Sequence, residues 1–256
     1  LADHDRFDEL PDEEIPSFRD RPLTQLETEL AAALEKANGA QERFEIMYDT
    51  LRERISMSDY PPGMRLSEEA LAAEFGVSRS PLRKALKILE ADGLLQSVQG
   101  VGTIVTDVDL DELTQVYQLR MELNELVGRL SPIHPDATAL ARFEELRKRA
   151  EALCSEPDMK VFARLNIDFF HAFMRLTDNQ PLVEVSERLF YQTCRIWLKM
   201  IPMMDFAEEV AIFAGEIAAI TEAVRLGDTE AAGHIRRAHL SMGFTRLKSH
   251  TRQHTL

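Results

Sequence analysis

Apolar residues recur every three or four positions along most of this chain, a spacing that predicts amphipathic helices. The first stripe starts near residue 41 and is followed by Tyr60-Pro61-Pro62-Gly63, a cluster that ends helices. The members of the stripe are Phe44, Met47, Tyr48, Leu51 and Ile55. The pattern therefore predicts an opening helix that packs across the elements after the Pro-Gly cluster.

Two shorter apolar stripes follow between Arg65 and Leu89, and a glycine separates them. Ser67 suits the N-cap of the first helix, and Ser78 suits that of the second. Gly76 stands where the first helix must end and the chain must turn with a positive φ. The second stripe consists of Leu82, Ala85, Leu86 and Leu89. Two short helices joined by a tight turn predict a helix-turn-helix.

A β-hairpin is predicted directly after this motif. The β-prone runs LLQSV and GTIVT flank Gln99-Gly100-Val101-Gly102, which has the composition of a hairpin loop. A hairpin in this place is the wing of a winged helix-turn-helix.

From about Asp109 onward the pattern is helical, with no convincing strand. Six predicted helices cover about 109–131, 136–155, 158–177, 180–200, 205–226 and 228–250. Breaks fall at Pro132/Pro135, Pro157, Asn179/Pro181, Pro202 and Gly227-Asp228. Short connections between amphipathic helices are typical of a helical bundle. The predicted fold class is mainly α, a winged helix-turn-helix domain followed by an all-α bundle.

Charge is distributed unevenly along the chain. The formal net charge is -14 at pH 7, so the bulk of the protein repels nucleic acid. Between Phe75 and Leu89, however, there is no acidic residue, and four basic ones occur. A phosphate backbone responds to local charge within a Debye length of about 8 Å. A solvated amphipathic helix is the alternative interpretation, but the turn, caps and ribbon favour DNA binding.

Composition narrows the class of protein. A length of 256 residues suits two domains. The sequence contains no apolar run of about 18 residues, so no membrane span is predicted. The acidic first residues lack the apolar core of a secretory signal. We expect Cys154 and Cys194 to be buried, reduced thiols in a cytoplasmic protein.

The predicted domain boundaries divide the chain into four parts. Residues 1–40 form an acidic, partly disordered arm, with eleven acidic against four basic side chains. A short amphipathic helix over Leu23–Ala37 that docks on a partner subunit is the alternative for part of it. The DNA-binding domain spans 41–107, the effector-binding and dimerisation domain spans 108–250, and 251–256 is a tail.

These residues carry a family resemblance over roughly 41–250. The run LSEEALAAEFGVSRSPLRKALKILEADGLL resembles the winged-helix domain of the GntR family of transcription regulators. Leu119-Arg120-Met121-Glu122, Phe170-His171 and AVRLGDTEAAGHIRRAHL are similar to the FadR-type (FCD) effector domain. The resemblance implies the FadR subfamily, a homodimer on a pseudo-palindromic operator, and a small organic acid that binds in the bundle and alters DNA affinity, most often in a repressor.

The resemblance also implies DNA contacts. Arg79 and Arg83 would contact guanines or phosphates, Ser78 and Ser80 would contact phosphates, and Gly100 at the wing tip would approach the minor groove. Bidentate donation by arginine to guanine O6 and N7 agrees with this. The DNA-binding set is Ser78, Arg79, Ser80, Arg83, Lys84, Lys87 and Gly100.

Many FCD domains hold a divalent metal through one aspartate and three histidines. His171 and His239 match two of these positions, while Ile167 and Ile217 occupy the other two. Asp168 lies three residues before His171, which leaves an incomplete candidate site of Asp168, His171 and His239 for Zn²⁺ or a similar ion. The alternative is a pair of buried histidines bonded to neighbours or to an anionic effector. In either case we expect His171 and His239 to line the same cavity.

Arginines in the helical domain are further candidates for effector binding. Arg195 lies in an apolar run, so its charge needs a partner, which is either a ligand carboxylate or Glu122 or Glu184. The candidate effector set is Arg120, Asp168, His171, Tyr191, Arg195 and His239.

Three functions compete at this stage. The first is a ligand-responsive, DNA-binding transcriptional regulator that is not an enzyme. The second is a metal-dependent hydrolase built on Asp168, His171 and His239, against which stand the missing third neutral ligand and nucleophile motif. The third is a constitutive DNA-binding module whose bundle only dimerises.

Overall fold

The computed structural model describes Leu30 and residues 32–254. Most of the predicted acidic arm, and with it the question of its disorder, lies outside the described residues. Residues 32–36, at the end of the segment for which a short helix was the alternative, are helical.

The N-terminal domain contains the predicted helix-turn-helix and wing. Its elements are α1 (Ala40–Ser56), β1 (Arg65–Leu66), α2 (Glu68–Glu74), α3 (Arg79–Ala91), β2 (Leu95–Val98) and β3 (Gly102–Val105). The Ser67 hydroxyl accepts a hydrogen bond from the Ala70 amide at 3.2 Å, which caps α2 as predicted. Gly76 turns the chain with φ +59°. Ser78 occupies the N-cap of α3, but its hydroxyl makes no capping bond, so that part of the prediction is wrong.

A small antiparallel sheet forms the wing, in the order β1-β3-β2. Leu95 pairs with Val105 and Val98 with Gly102, which sets the register of the predicted hairpin. The two-residue strand β1 was not predicted, because two residues carry no periodic signal. The core beneath the sheet holds Met47, Leu51, Ile55, Phe75, Leu82, Leu89 and Leu94.

The second domain is a helical bundle. Its elements are α4 (Thr114–Leu126), α5 (Ala137–Ser155), α6 (Met159–Met174), α7 (Gln180–Thr193), α8 (Ile196–Met200), a 3₁₀ turn (Ile201–Met203), α9 (Phe206–Arg225) and α10 (Thr229–His254). Five of these helices begin with a residue whose side-chain oxygen accepts a hydrogen bond from a backbone amide of the first turn: Asp136, Asp158, Asn179, Asp205 and Asp228. These caps explain why the breaks fall close to the predicted positions.

Three of the predicted helices have different bounds in the structure. The segment predicted over 109–131 is helical only over Thr114–Leu126, because the Asp109 carboxylate accepts from the Asp111 and Glu112 amides and forms a turn first. The segment predicted over 180–200 is divided into α7 and α8. At the other end of the chain, α10 continues to His254, into the predicted tail.

The bundle packs α4 against α10 and α5 against α9. Gly128 and Gly233 lie where backbone from the neighbouring helix approaches too closely for a Cβ atom. The rings of Tyr117 and Phe244 stack at 4.4 Å between centroids in the same interface. None of the helices in the described part of the chain combines the length and hydropathy needed to cross a bilayer.

The two cysteines differ in their environment. Cys194 is buried, as predicted, but Cys154 is exposed. Its helix buries Ala150 and Leu153 instead, so Cys154 lies on the solvent side of α5.

Candidate functional site

The basic face of α3 is exposed in the described part of the chain. All seven residues of the predicted DNA-binding set are exposed, whereas the opposite face of the helix is buried through Leu82, Ala85, Leu86 and Leu89. The exposed set is Ser78, Arg79, Ser80, Arg83, Lys84, Lys87 and Gly100. The hydrophobic stripe therefore orients the basic side chains outward, away from the domain core.

Neighbouring groups position two of these cations. The Arg83 Nε atom donates to the Glu68 carboxylate on α2 at 2.7 Å, and the Lys84 ammonium lies 4.8 Å from the centre of the Phe44 ring. Both contacts are at the surface, where they cost little to exchange for a phosphate or a base. In the described part of the chain, Arg79 and Lys87 form no ion pair. The face combines pre-positioned and free cations.

The wing presents a narrow tip next to this face. Gly100 and Gly102 have φ of +79° and +112°, values that favour glycine, and Val101 between them is 44% exposed. The tip thus presents backbone with little side-chain bulk, which suits insertion into a groove.

A small, partly open cavity lies within the helical bundle. Its volume is about 50 Å³, room for a few waters or a small organic anion. Residues from α4, α6, α8, α9, α10 and the α7–α8 junction line it: Arg120, Phe162, Asn166, Cys194, Trp197, Glu209, Ile212, Phe213, Glu216, Arg236, His239, Leu240, Gly243 and Arg246.

Two of the three arginines that line the cavity are neutralised by glutamates of α9. Arg236 donates to Glu216 at 2.6 Å, and both side chains are nearly inaccessible to solvent. Arg246 donates through Nε and Nη2 to the two oxygens of Glu209, at 2.7 and 2.8 Å. Such bidentate geometry is the strongest arrangement of this ion pair.

Arg120 is the third arginine, and no described carboxylate pairs with it. The residue is 3% exposed, and its Nη1 donates to the Thr193 hydroxyl. The Tyr117 and Phe190 rings each lie 5.4 Å from its guanidinium carbon. Burial lowers the pKa of Arg120 to about 10, which leaves it charged at neutral pH. Nearby, the Nδ1 atom of His239 is buried and has no hydrogen-bond partner among the residues that the structure describes.

The expectation that His171 and His239 share a cavity is wrong. His239 lines the cavity, but His171 does not; its Nε2 lies 3.0 Å from the Tyr191 hydroxyl. Asp168 is also elsewhere and accepts from Arg149 at 2.6 Å. Of the six predicted effector residues, Arg120 and His239 line the cavity, whereas Asp168, His171, Tyr191 and Arg195 do not.

Arg195 has neither of the partners expected for it. Its Nη1 and Nη2 atoms donate to the carbonyl and hydroxyl oxygens of Thr106, at 2.7 and 2.6 Å. Glu122 instead accepts from Arg237 at 2.8 Å. The interruption between α7 and α8 turns Arg195 toward the segment that follows the wing, which sequence periodicity could not reveal.

The predicted metal trio does not fit a metal centre. His171 and Asp168 are engaged with Tyr191 and Arg149, and His239 lies in a different place. Ile167 and Ile217, at the remaining positions of the resemblance, are buried and have no donor atoms. Within residues 32–250, no three His, Cys, Asp or Glu side chains are grouped closely enough to hold an ion.

Sequence reasoning missed the two glutamates of the cavity as partners of arginine. Glu209 and Glu216 are seven residues apart, which places them on one face of α9 two turns apart. Both interrupt an otherwise apolar helix, and this was the available signal. Their partners Arg236 and Arg246 are distant in sequence, so the pairing itself had no local signature.

Comparisons with known proteins agree with both parts of the structure. The family model described as "Bacterial regulatory proteins, gntR family" matches residues 45–105, and the one described as "FCD domain" matches residues 115–242. A solved structure, "E. coli McbR/YncC", superposes with a TM-score of 0.70 at 20% identity and covers 81% of this chain and 97% of that one. It supports the fold.

Two curated relatives are similar to this chain in sequence. The "Uncharacterized HTH-type transcriptional regulator YdhC" of Bacillus subtilis (strain 168) is 30% identical over 152 residues, which are 58% of this chain and 68% of that protein. The "Probable D-xylose utilization operon transcriptional repressor" of Paenarthrobacter nicotinovorans is 29% identical over 193 residues, 73% of this chain and 80% of that protein. The exposed basic helix, the wing and the helical bundle therefore belong to a member of the GntR family of bacterial regulatory proteins with an FCD domain, a DNA-binding transcriptional regulator and not an enzyme.

Proposed function

We propose that this regulator is a repressor whose DNA affinity changes when a small organic acid binds in the cavity of the helical domain. The observation that carries the proposal is Arg120, a buried guanidinium that no described carboxylate neutralises. Burying an unpaired charge is costly, so an anionic ligand next to Arg120 would be strongly stabilised. The buried Nδ1 atom of His239 offers a further hydrogen bond in the same cavity.

Charge and size define the class of effector. Three arginines and two glutamates line the cavity, so one arginine charge has no matching carboxylate among these lining residues. A volume of about 50 Å³ suits a compact monoanion such as a short carboxylate. Phe162, Trp197 and Phe213 supply apolar walls for its carbon atoms.

The effector proposal is tested by thermal unfolding with formate, acetate, lactate, malonate and phosphate, each matched in ionic strength by sodium chloride. We expect a carboxylate to raise the melting temperature of the wild type and to lose this effect in Arg120→Met. Arg149→Met is the control, because Arg149 is a partly buried arginine of the same domain that lies outside the cavity. If no compound stabilises the wild type more than its chloride match, the proposal fails.

We propose that binding needs no metal ion, because the donor set does not converge on one point. The expected result is less than about 0.1 metal ion per chain by elemental analysis, with acetate stabilisation unchanged by EDTA. One ion per chain, removable with loss of the acetate effect, would contradict this.

For the DNA-binding domain, which we also call the DNA reader, we propose that Arg79 and Arg83 contact bases and that two chains bind a pseudo-palindromic operator as a homodimer. Leu119 on α4 and Met242 on α10 are 47% and 49% exposed, and these two packed helices are our candidates for the dimer interface. We also propose that the protein belongs to the FadR subfamily, and the match to the FCD domain supports this assignment.

The operator is identified by selecting bound duplexes from a random pool with the wild-type protein. We expect a selected sequence with two related half-sites, and Arg79→Ala or Arg83→Ala to weaken its binding by about 1–3 kcal/mol for each lost base contact. Arg142→Ala, an exposed arginine of α5, is the matched control. Equal footprints for all three variants would contradict the assignment, and a sedimentation mass of one chain would contradict the dimer.

A further inference from the structure

The junction between α7 and α8 touches both the cavity and the DNA-binding domain. Helix α7 ends at Thr193 and α8 begins at Ile196, so the junction interrupts the segment 180–200, whose sequence predicts one continuous helix. Within residues 191–195, successive side chains point to different neighbours. Residues that contact the cavity and residues that contact the DNA-binding domain are therefore direct neighbours in this segment.

On the cavity side, the contacts are those of Thr193 and Cys194. The Thr193 hydroxyl accepts from Arg120 Nη1 and lies 3.0 Å from the carbonyl oxygens of Leu189 and Phe190, to which it donates. Back-bonding of a threonine to the preceding turn bends helices, which accounts for the end of α7 here. Cys194 lines the cavity itself. Any anion that draws the Arg120 guanidinium toward itself therefore pulls on the end of α7.

On the other side, two side chains of the junction hold the DNA-binding domain. Gln192 Nε2 donates to the carbonyl oxygen of Asp92, the C-cap of the recognition helix α3, at 2.9 Å. Arg195 donates to both oxygens of Thr106, the residue directly after β3 of the wing. The recognition helix and the wing are thus each fixed to the same short segment.

A third set of contacts joins this segment to α1, the first helix of the DNA-binding domain. The Arg52 guanidinium of α1 lies 4.1 Å from the centre of the Tyr191 ring and donates to Glu187 at 2.9 Å. Arg52 is largely shielded from solvent, at 12% side-chain exposure, where stacking and charge pairing are least screened. Residues 187–195 therefore contact α1, α3 and the end of the wing.

We propose that residues 191–195 transmit occupancy of the cavity to the DNA reader. Gln192 and Arg195 act as positioning residues, which set the angle of α3 and the wing relative to the bundle. When an anion takes Arg120 from Thr193, the α7–α8 junction is released and both contacts shift together. This inference rests on the proposed function for the existence of the anion. What it adds is the route, the path of contacts from Arg120 through residues 191–195 to α3 and the wing.

The route is tested with full-length protein, the duplex selected from the random pool, and acetate as the probe. Acetate is compared with sodium chloride at equal ionic strength, because DNA affinity falls steeply with salt. We expect acetate to change the wild-type dissociation constant by about fivefold or more, and by less than twofold in Gln192→Ala. Gln180→Ala, an exposed glutamine at the other end of α7, is the matched control and keeps the full response.

The outcomes separate the route from the effector proposal. If acetate binds and changes DNA affinity equally in wild type and in Gln192→Ala, the route is refuted while the effector proposal stands. If acetate stabilises no variant, the effector proposal fails for this probe, and the route is decided by a second measurement without ligand.

That second measurement is a double-mutant cycle on DNA affinity with Arg120→Met and Gln192→Ala, after circular dichroism has shown that each variant is folded. Arg120→Met removes the hydrogen bond to Thr193. If the route is correct, the fold-change in the dissociation constant that Arg120→Met causes is at least three times smaller in the Gln192→Ala background than in the wild type. Thr193→Val, which removes the hydroxyl alone, replaces Arg120→Met if that variant does not fold. Independent, multiplicative effects would overturn the route.

Discussion

Replacing Glu216 with methionine should weaken the fold and strengthen anion binding at the same time. The Glu216–Arg236 pair spans 2.6 Å, with side chains only 7% and 5% exposed. Removal of one partner of such a pair costs about 3–5 kcal/mol, because the other charge stays buried. The Phe169 ring, 4.9 Å from the Arg236 guanidinium carbon, offsets part of this loss. We therefore expect Glu216→Met to lower the free energy of unfolding by about 3 kcal/mol.

Urea unfolding measures this change. With an m-value of about 3 kcal/mol per M for a chain of this size, the midpoint falls by about 1 M. The double variant Glu216→Met/Arg236→Met should return to within about 1 kcal/mol of the wild type, since an apolar pair replaces a buried ion pair at little cost. Glu222→Met is the matched control on the same helix, because its pair with Arg225 is exposed and is worth at most about 1 kcal/mol.

Anion binding should change in the opposite direction. Loss of Glu216 raises the formal charge of the cavity by one, so the stabilisation by acetate becomes larger than in wild type. Loss of Arg236 alone reverses this effect. The reasoning is refuted if Glu216→Met is no more destabilising than Glu222→Met, or if the acetate response of Glu216→Met equals that of the wild type.

Three further predictions concern other parts of the molecule. Lys87→Ala should reduce the slope of log K against log salt by about 0.9 per chain, measured by fluorescence anisotropy, and an unchanged slope would exclude Lys87 from phosphate contact. Burial lowers the pKa of His171 below its usual 6.5; the unfolded state therefore takes up the proton first, and stability falls below pH 6.5, by at most about 1.4 kcal/mol per pH unit. His171→Gln should flatten this dependence in urea titrations between pH 8 and 5, and identical profiles would contradict it. Gly128→Ala would place a Cβ atom against the Thr229 carbonyl oxygen and should cost about 1–3 kcal/mol in thermal unfolding, whereas Gly215→Ala meets open space and should stabilise by about 0.5–1 kcal/mol; equal melting temperatures would refute the close crossing.

The DNA-binding domain could be predicted from sequence because its signals are local. Ser67, Gly76 and the stripe from Leu82 to Leu89 each specify their own few residues, and the structure confirms the cap, the turn and the buried face. The hairpin followed from two β-prone runs around glycines. Strand β1 escaped prediction because its two residues acquire their conformation from pairing with β3.

The cavity could be predicted only in part, because its contacts join distant segments. Arg120 and His239 were identified correctly as lining residues. The Glu216–Arg236 pair needed the relative rotation of α9 and α10, which no periodicity contains. His171 and Asp168 were assigned to the cavity from spacing alone, and the partners Tyr191 and Arg149 decide otherwise.

The acidity of the chain gives these contacts their functional weight. With a formal net charge of -14, the protein lacks the general attraction to phosphate that would hold a basic protein on any sequence. DNA affinity must then come from a few cations on α3 in the correct position. A small rotation of the DNA-binding domain therefore removes a large share of this affinity. Such a rotation is what Gln192 and Arg195 are placed to control, since one fixes the end of α3 and the other fixes the end of the wing. In the proposed route, a small anion in the cavity is therefore enough to switch this acidic regulator, because the displacement it must produce is small.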